Sequence, residues 1–465
     1  MKVSLLFYLF YNKEHMKKER KPLDIANGPL MPNIFTFAIP LMLSEMMQIF
    51  FNSADTIIVG KFGGNQALAA VGATGSIVFL LTSLFYGLST GSNVLIARCI
   101  GNNNKQKIKD AVHSSIIIAW VGGLCLTAIG VIFAKSLLEM MGTPQEIIDL
   151  SALYMRIYFG GVIFLLTFNF GSAVLRSKGD TKRPMYFMVV AGIVNIILNL
   201  FTVVILKWSV AGVAISTVVS QSVSAFLVLH VLINETDSTR LDLRHLYAEK
   251  SAIMEIMRIG IPAGLSAAVF ALSNVVVQSS INSFDSTDIV SGNSAGSNIE
   301  NFVYIGYTAF NQATLTFTSH CLGAGRTDRI KEVFIKTFLL VGAAAIIMSN
   351  AVYFAGPSLL TLYTDKQSVI DVGMIRTALV ARWLILNALL DTFVASLRGM
   401  GYSTLPTVLM VIGICGVRIG WLYTVFPKLG TLQSIYMCFP VSWAVTMAIE
   451  IILWVIAYRK VCKSA

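Results

Sequence analysis

Four polar side chains on the first long apolar segment have the types and spacing needed to handle a cation. They follow a three-four-three spacing, which places them within about 80° of one another around a helix, and they are Glu45, Gln48, Asn52 and Asp55. Because a charge at the centre of a membrane helix costs about 2.5 kcal/mol or more, acids inside such helices usually mark ion or proton pathways. We therefore expect Asp55 to take up and release a coupling cation. The alternative is a structural role, in which Asp55 forms hydrogen bonds near the end of its helix.

A second polar pair lies in the segment GIVNIILNLF, residues 192–201. Asn195 and Asn199 are at positions i and i+4 and therefore lie on one face of a helix. Their amide oxygens could coordinate a hard cation, which prefers oxygen ligands. Alternatively, the two amides could form hydrogen bonds between helices, each worth about 1 kcal/mol.

The second half of the chain carries few acids in its apolar segments. Asn274 and Gln278 form a polar stripe with i, i+4 spacing, and Asp391 and Glu450 are the acids that we expect to lie deep in apolar runs. Arg418 is a candidate counter-ion for either acid. Asp391 could contact a substrate or an ion, or it could belong to a static ion pair that fixes helix packing.

The elements that must position these residues are membrane helices. The chain is 55% hydrophobic and only 13% charged, whereas soluble domains carry roughly 25% charged residues. Apolar stretches of about 20 residues, long enough to cross a bilayer, recur along the whole length. The net charge of +11 does not indicate a nucleic-acid partner, because basic segments such as 102–110 and 176–183 separate apolar runs. They fit cytoplasmic loops under the positive-inside rule.

Twelve apolar runs fall into two copies that one constant shift of the sequence brings into register. The shift that carries Pro40 onto Pro262 also carries Gly101 onto Gly323, and it aligns AVLRSKGDTKRP (173–184) with ASLRGMGYSTLP (395–406). We call it the repeat offset. Because each copy has an even number of helices, both enter the membrane from the same side, as parallel repeats do. We expect a cytoplasmic segment 1–33, a first lobe 34–233, a connector 234–258, a second lobe 259–457 and a tail 458–465.

Several other classes of protein are disfavoured. No Walker sequence is present, so ATP is not expected as the energy source, and no nucleophile, base and oxyanion donor are arranged as in an enzyme. The six cysteines are scattered and the five histidines have no ligand spacing, so we expect no cofactor and no metal site beyond one for Na⁺. Either Met1 or Met16 could be the natural start.

Five pieces of the sequence, in this order and spacing, resemble the multidrug and toxic compound extrusion (MATE) family of cation-coupled antiporters. They are IPLMLSEMMQIFFNSADTIIVGKFG, ALAAVG, AVLRSKGDTKRP, IGIPAGLS and ASLRGMG. The resemblance implies an all-α membrane protein with twelve transmembrane helices, arranged as two parallel six-helix repeats around a central cavity. It also implies export of organic, often cationic, compounds driven by inward H⁺ or Na⁺.

The resemblance also assigns roles to individual residues of the first lobe. Those at positions of a cation site in some members are Asp55, Asn195, Asn199 and Thr217. Those members carry an aspartate at the position of Asn199, so the choice between H⁺ and Na⁺ stays open. Tyr154 and Ser172 match neighbouring polar positions of that lobe, and Asn169, one turn before Ser172, could substitute for it. Gln48 and Asn52, which share the polar face of the first helix with Asp55, are further supporting positions.

We therefore expect a secondary antiporter that works by alternating access. It would be a monomer in a bacterial plasma membrane with both termini in the cytoplasm. Its partners would be the lipid bilayer and small organic substrates, without nucleic acid or ATP. One alternative is a flippase for a lipid-linked precursor. A second is a passive channel or scaffold, in which a change at Asp55 would alter stability more than transport.

Overall fold

The computed structural model describes residues 23–464, and within them every regular element is helical. The choice between Met1 and Met16 as the start lies outside the described residues. The first lobe contains α1 Leu30–Gly63, α2 Asn65–Gly101, α3 Lys105–Ile132, α4 (Gln145–Gly160 and Val162–Ser177), α5 Lys182–Ile205 and α6 Ser209–Asn234. The second contains α7 Lys250–Asn282, α8 Thr287–Gly323, α9 Thr327–Leu360, α10 Gln367–Gly399, α11 Thr404–Leu429 and α12 Leu432–Lys463. Short helices Ala134–Met140 and Leu243–His245 lie in the connections.

Most of these helices have the length and apolar content of membrane spans. Ten of them in the described part of the chain qualify individually, and the two pieces of α4, bent by 46°, form an eleventh together. The remaining helix, α8, has 37 residues, which is ample length, but it is more polar and buries Asn293 and Glu300. The predicted all-α membrane fold is confirmed.

The repeat offset also governs the three-dimensional structure. It carries both ends of α2 onto the ends of α8, and both ends of α4 onto the ends of α10. Even single contacts repeat. The hydroxyl of Thr181 donates to the carbonyl of Phe37 at 2.8 Å, and that of Ser403 donates to the carbonyl of Ile259 at 2.6 Å. The predicted parallel repeat is confirmed.

The first helix of each repeat crosses from one lobe into the other. The N-terminal half of α1 packs in the core of the second lobe, where the Phe37 ring lies 5.5 Å from that of Phe317. Its C-terminal end, at Ile58 and Val59, packs in the first lobe. Helix α7 does the reverse, because Ile256, near its start, joins the core of the first lobe. α7 begins at Lys250, earlier than the predicted boundary at residue 259.

The two lobes contact each other closely at one end of the molecule. A side chain at Gly101 would overlap the carbonyl of His320, and one at Gly323 would overlap the carbonyl of Arg98. Nearby, Arg98 forms an ion pair with Glu255 at 2.7 Å. We call this contact the closed end. Towards the other ends of α1 and α7, polar residues are exposed, namely Gln48, Asn52 and Asn274.

Candidate ion and substrate sites

Three helices of the first lobe converge on Asp55. Asn199 on α5 donates a hydrogen bond to the carboxylate, and its amide nitrogen also lies 3.3 Å from the side-chain oxygen of Asn195. Asn195 and, from α6, Thr217 interact with the same carboxylate. The structure thus brings together all four residues of the predicted cation site, which we call the acid site.

The backbone is irregular next to this cluster. Helix α1 continues as a π-helical stretch at Val59–Gly63, shortly after Asp55, and α5 does so at Leu200–Ile205, directly after Asn199. Such wide turns shift the register of a helix and frequently occur at functional sites. Here they lie beyond the two residues that form the central hydrogen bond.

The donor set of the acid site fits a hard cation or a proton. It combines one carboxylate, two amide side chains and a hydroxyl group, and oxygen is the ligand atom that such cations prefer. The side-chain oxygen of Asn199 is buried and has no hydrogen-bond partner among residues 23–464. A buried acceptor without a donor is costly, and a bound cation or a proton on the carboxylate would satisfy it.

The predicted supporting residues divide into two groups. Tyr154 lies close enough to Asp55 to interact electrostatically. Asn169 donates to the carbonyl of Leu165 at 2.9 Å, and the buried Ser172 hydroxyl has no partner in the described chain. The other two supporting residues, Gln48 and Asn52, are exposed on α1. They form no described side-chain contact with the acid site.

Glu45, the first member of the polar stripe on α1, joins the two lobes. Its carboxylate accepts a hydrogen bond of 2.7 Å from Thr308 on α8, and it interacts electrostatically with Arg176 on α4. The stripe predicted this side chain. Its partners were not predicted, because Thr308 is 263 residues away in the sequence.

The predicted role of Arg418 as counter-ion for Asp391 or Glu450 is wrong. Arg418 is buried between α7 and α12, where it donates to Asn274 at 3.1 Å and to Ser442 at 3.2 Å. Arg398 is the cationic side chain that interacts electrostatically with both acids. It follows Asp391 on α10 by about two helical turns, so the same helix supplies both charges.

Asp391 and Glu450 therefore belong to a separate cluster around Arg398. Asn387 lies 3.3 Å from the carboxylate of Asp391 and donates to the hydroxyl of Tyr307 at 2.8 Å. Glu450 is fully buried, and neither of its carboxylate oxygens has a hydrogen-bond partner within residues 23–464.

A third buried network was not predicted, and it adds a further deep acid to the second lobe. Glu300 on α8 forms two hydrogen bonds of 2.8 Å with Arg376 on α10, and Arg376 also donates to Asn293 at 2.6 Å. Gln278 accepts a hydrogen bond of 2.8 Å from Asn293. The two residues of the predicted polar stripe therefore have different partners. Asn274 contacts Arg418, and Gln278 belongs to this network.

Comparison with known proteins places this architecture in a family. The sequence profile of the MatE family matches residues 40–201 and 262–424, one segment in each repeat. The "Probable multidrug resistance protein YoeA" of Bacillus subtilis is 28% identical over 429 residues, covering 88% of this chain and 90% of that protein. The "FAD transporter" of Shewanella oneidensis is 26% identical over 352 residues, covering 74% and 76%.

Solved structures of MATE proteins have the same fold as this chain. An outward-facing multidrug resistance MATE transporter matches with a TM-score of 0.88 at 21% identity, covering 95% of this chain and 99% of its own. MATE proteins are transporters with multiple membrane-spanning helices. The chain belongs to the MatE family.

Proposed function

We propose that the chain is a secondary antiporter that exports organic, often cationic, compounds in exchange for H⁺ or Na⁺. It would act as a monomer in a bacterial plasma membrane, without ATP and with both termini in the cytoplasm. Membership of a family of membrane transporters supports the transport of small molecules. The printed names of relatives include multidrug resistance proteins and a FAD transporter, so family membership alone does not select a substrate.

The acid site is the observation that carries this proposal. Asp55 is a carboxylate within a membrane-spanning helix, and its partners Asn195, Asn199 and Thr217 are all neutral. A neutral surrounding cannot compensate a buried negative charge, whereas a bound proton or Na⁺ can. The energy difference between the loaded and the empty site would therefore change whenever the access of the site to water changes. That difference is what couples an ion gradient to a conformational change.

The packing of the lobes supports alternating access. The closed end lies next to the loop that leads into Lys105, Lys107 and Lys109, and next to Arg326. Basic loops favour the cytoplasmic side. Under this assignment, the space between the lobes opens to the outside, which is the state that releases substrate and admits the coupling ion. Separation of the lobes at the closed end would give the opposite state.

The experiment is ethidium efflux from proteoliposomes, with native protein and the Asp55→Asn variant compared under a pH gradient and then a Na⁺ gradient. We expect one gradient to drive efflux by the native chain, and that gradient identifies the ion. The variant should fold and stop. If it transports as well as the native chain, Asp55 is structural and the proposed coupling role is wrong. Failure of the native chain under both gradients would contradict the proposed substrate class.

A further inference from the structure

Arg418 carries a positive charge that no described acid neutralises. Only 4% of the residue is exposed. Its hydrogen-bond partners, Asn274 and Ser442, are both neutral. Its guanidinium group lies over the rings of Phe439, at 4.3 Å, and Trp443, at 5.9 Å. Among residues 23–464, no carboxylate lies within ion-pair distance of Arg418.

The neighbouring charges do not correct this imbalance. The guanidinium group of Arg376 lies 5.4 Å from the ring of Phe439, which both arginines therefore share, and it interacts electrostatically with Arg418. Glu300 also interacts electrostatically with Arg418, but it accepts two hydrogen bonds from Arg376 and matches that charge. The two arginines and one glutamate therefore leave one positive charge in excess.

An uncompensated guanidinium inside a membrane protein is costly, and cation–π contacts offset only part of the cost. An apolar residue of similar volume would pack between α7 and α12 without that cost. A negatively charged ligand would supply the missing charge. A carboxylate suits this place, because Asn274 accepts from Arg418 through its side-chain oxygen and keeps its amide hydrogens for a ligand.

Asn274 links buried Arg418 to an exposed face of α7. On α7, the apolar residues Leu265, Leu272 and Val275 are each more than half exposed, and they lie between about 100° and 180° from Asn274 around the helix. These residues fit a surface that faces lipid, and exposed Asn274 lies outside that surface. In the repeat, Asn274 corresponds to Asn52 on the polar face of α1.

We propose that Arg418 and Asn274 form a subsite for the carboxylate of a transported compound that also has a cationic part. The inference rests on the proposed function, because it requires that substrates occupy the space between the lobes. Asn274 would bind the carboxylate through its amide hydrogens, and Arg418 would supply the charge. The cationic part of the substrate would lie towards the first lobe.

Two dyes that differ in one group test the subsite. Rhodamine 110 carries a free carboxylate, and rhodamine 123 is its methyl ester. Binding of each dye to the purified full chain is measured by fluorescence anisotropy for the native protein, Arg418→Gln and Arg418→Lys. We expect Arg418→Gln to weaken rhodamine 110 binding by about tenfold or more, because the positive charge behind the Asn274 amide is lost and the hydrogen bond to the carboxylate weakens. Rhodamine 123 binding should change by less than about twofold, and Arg418→Lys should recover most of the affinity for rhodamine 110.

Equal weakening of both dyes, or no binding of rhodamine 110 to the native chain, would overturn the proposal. If Arg418→Gln does not fold, Asn274→Asp decides, because it places a carboxylate beside Arg418 and should weaken rhodamine 110 selectively. The coupling proposal fails separately. Normal gradient-driven efflux by Asp55→Asn contradicts the role of Asp55, whereas the subsite is tested only by dye binding to the Arg418 and Asn274 variants.

Discussion

In the first lobe an acid lies among amides and a hydroxyl group, whereas in the second lobe an arginine lies among an amide, a hydroxyl group and aromatic rings. The repeat makes the two places comparable. Asp55 on α1 corresponds to Val277 on α7, and Arg418 on α11 corresponds to Ile196 on α5. These two sites therefore carry charges of opposite sign, and the charges lie on helices that are not equivalent in the repeat.

This difference indicates which contacts the repeat has retained. Some contacts that involve the backbone are the same in both halves, namely the hydrogen bonds of Thr181 and Ser403 and the close approaches of Gly101 and Gly323. Charged contacts are not. Close-packed helices tolerate few changes at the points where they touch, while side chains that face a wet space are free to diverge.

The largest effect is expected when the carboxylate of the acid site is removed from α1 and then placed on α5 instead. Asp55→Asn should reduce gradient-driven efflux to the level of empty liposomes. The double variant Asp55→Asn/Asn199→Asp should restore a measurable part, because the carboxylate and the amide exchange places across the same hydrogen bond. Efflux is measured at equal amounts of folded protein, with Asp285→Asn, an acid between α7 and α8, as the matched control.

That control should transport at the native rate. If the double variant is as inactive as the single one while both remain folded, then the position of the carboxylate on α1 matters beyond its charge. The hypothesis that Asp55 and Asn199 act as one unit, with the carboxylate on either helix, would then be wrong.

The next largest effect concerns stability in the second lobe. Arg376→Met should lower the free energy of unfolding by about 3–5 kcal/mol, because it leaves Glu300 buried without its partner. The double variant Arg376→Met/Glu300→Gln should recover most of this loss, since no unpaired charge remains. Thermal unfolding of the purified variants measures both effects. A double variant no more stable than the single one would show that packing, and not charge, explains the loss.

Much of the fold could be predicted because its signals are local. Apolar runs and basic loops mark the helices, and the repeat offset fixes which helix of one half corresponds to which helix of the other. Helix α8 carries a weaker signal, because it contains Asn293 and Glu300. Nothing local shows that the first half of α1 packs in the opposite lobe, since that depends on which apolar faces fit together.

The sites were predictable to a smaller extent. Periodicity placed Asp55 on the polar face of α1, and the family resemblance grouped it with α5 and α6. Arg418 was assigned to the wrong acids, because a sequence shows which charges lie in apolar runs but not which of them meet. Arg376 and Glu300 are 76 residues apart, and no spacing rule links residues on separate helices.

A smaller effect should come from the backbone contacts that both halves share. Gly101→Ala would place a methyl group against the carbonyl of His320, and we expect a loss of stability of about 1–3 kcal/mol, as for other overpacked sites. Gly75→Ala, on the same helix but with open space around it, should be neutral or stabilising by up to about 1 kcal/mol. Maleimide labelling of buried Cys99, relative to exposed Cys462, should rise in Gly101→Ala as the closed end loosens. Equal labelling in both variants would mean that the closed end tolerates the methyl group.

The smallest effect is expected at the ion pair between the lobes. The side chains of Arg98 and Glu255 are 26% and 38% exposed, and ion pairs so accessible to water contribute about 0–1 kcal/mol. In the other half of the repeat, Glu255 corresponds to Asn33, which donates to the carbonyl of Asp24 instead. Glu255→Gln should therefore lower the free energy of unfolding by less than about 1 kcal/mol, much less than Arg376→Met. A loss as large as that of Arg376→Met would show that the ion pair, and not the glycine contacts, holds the closed end together.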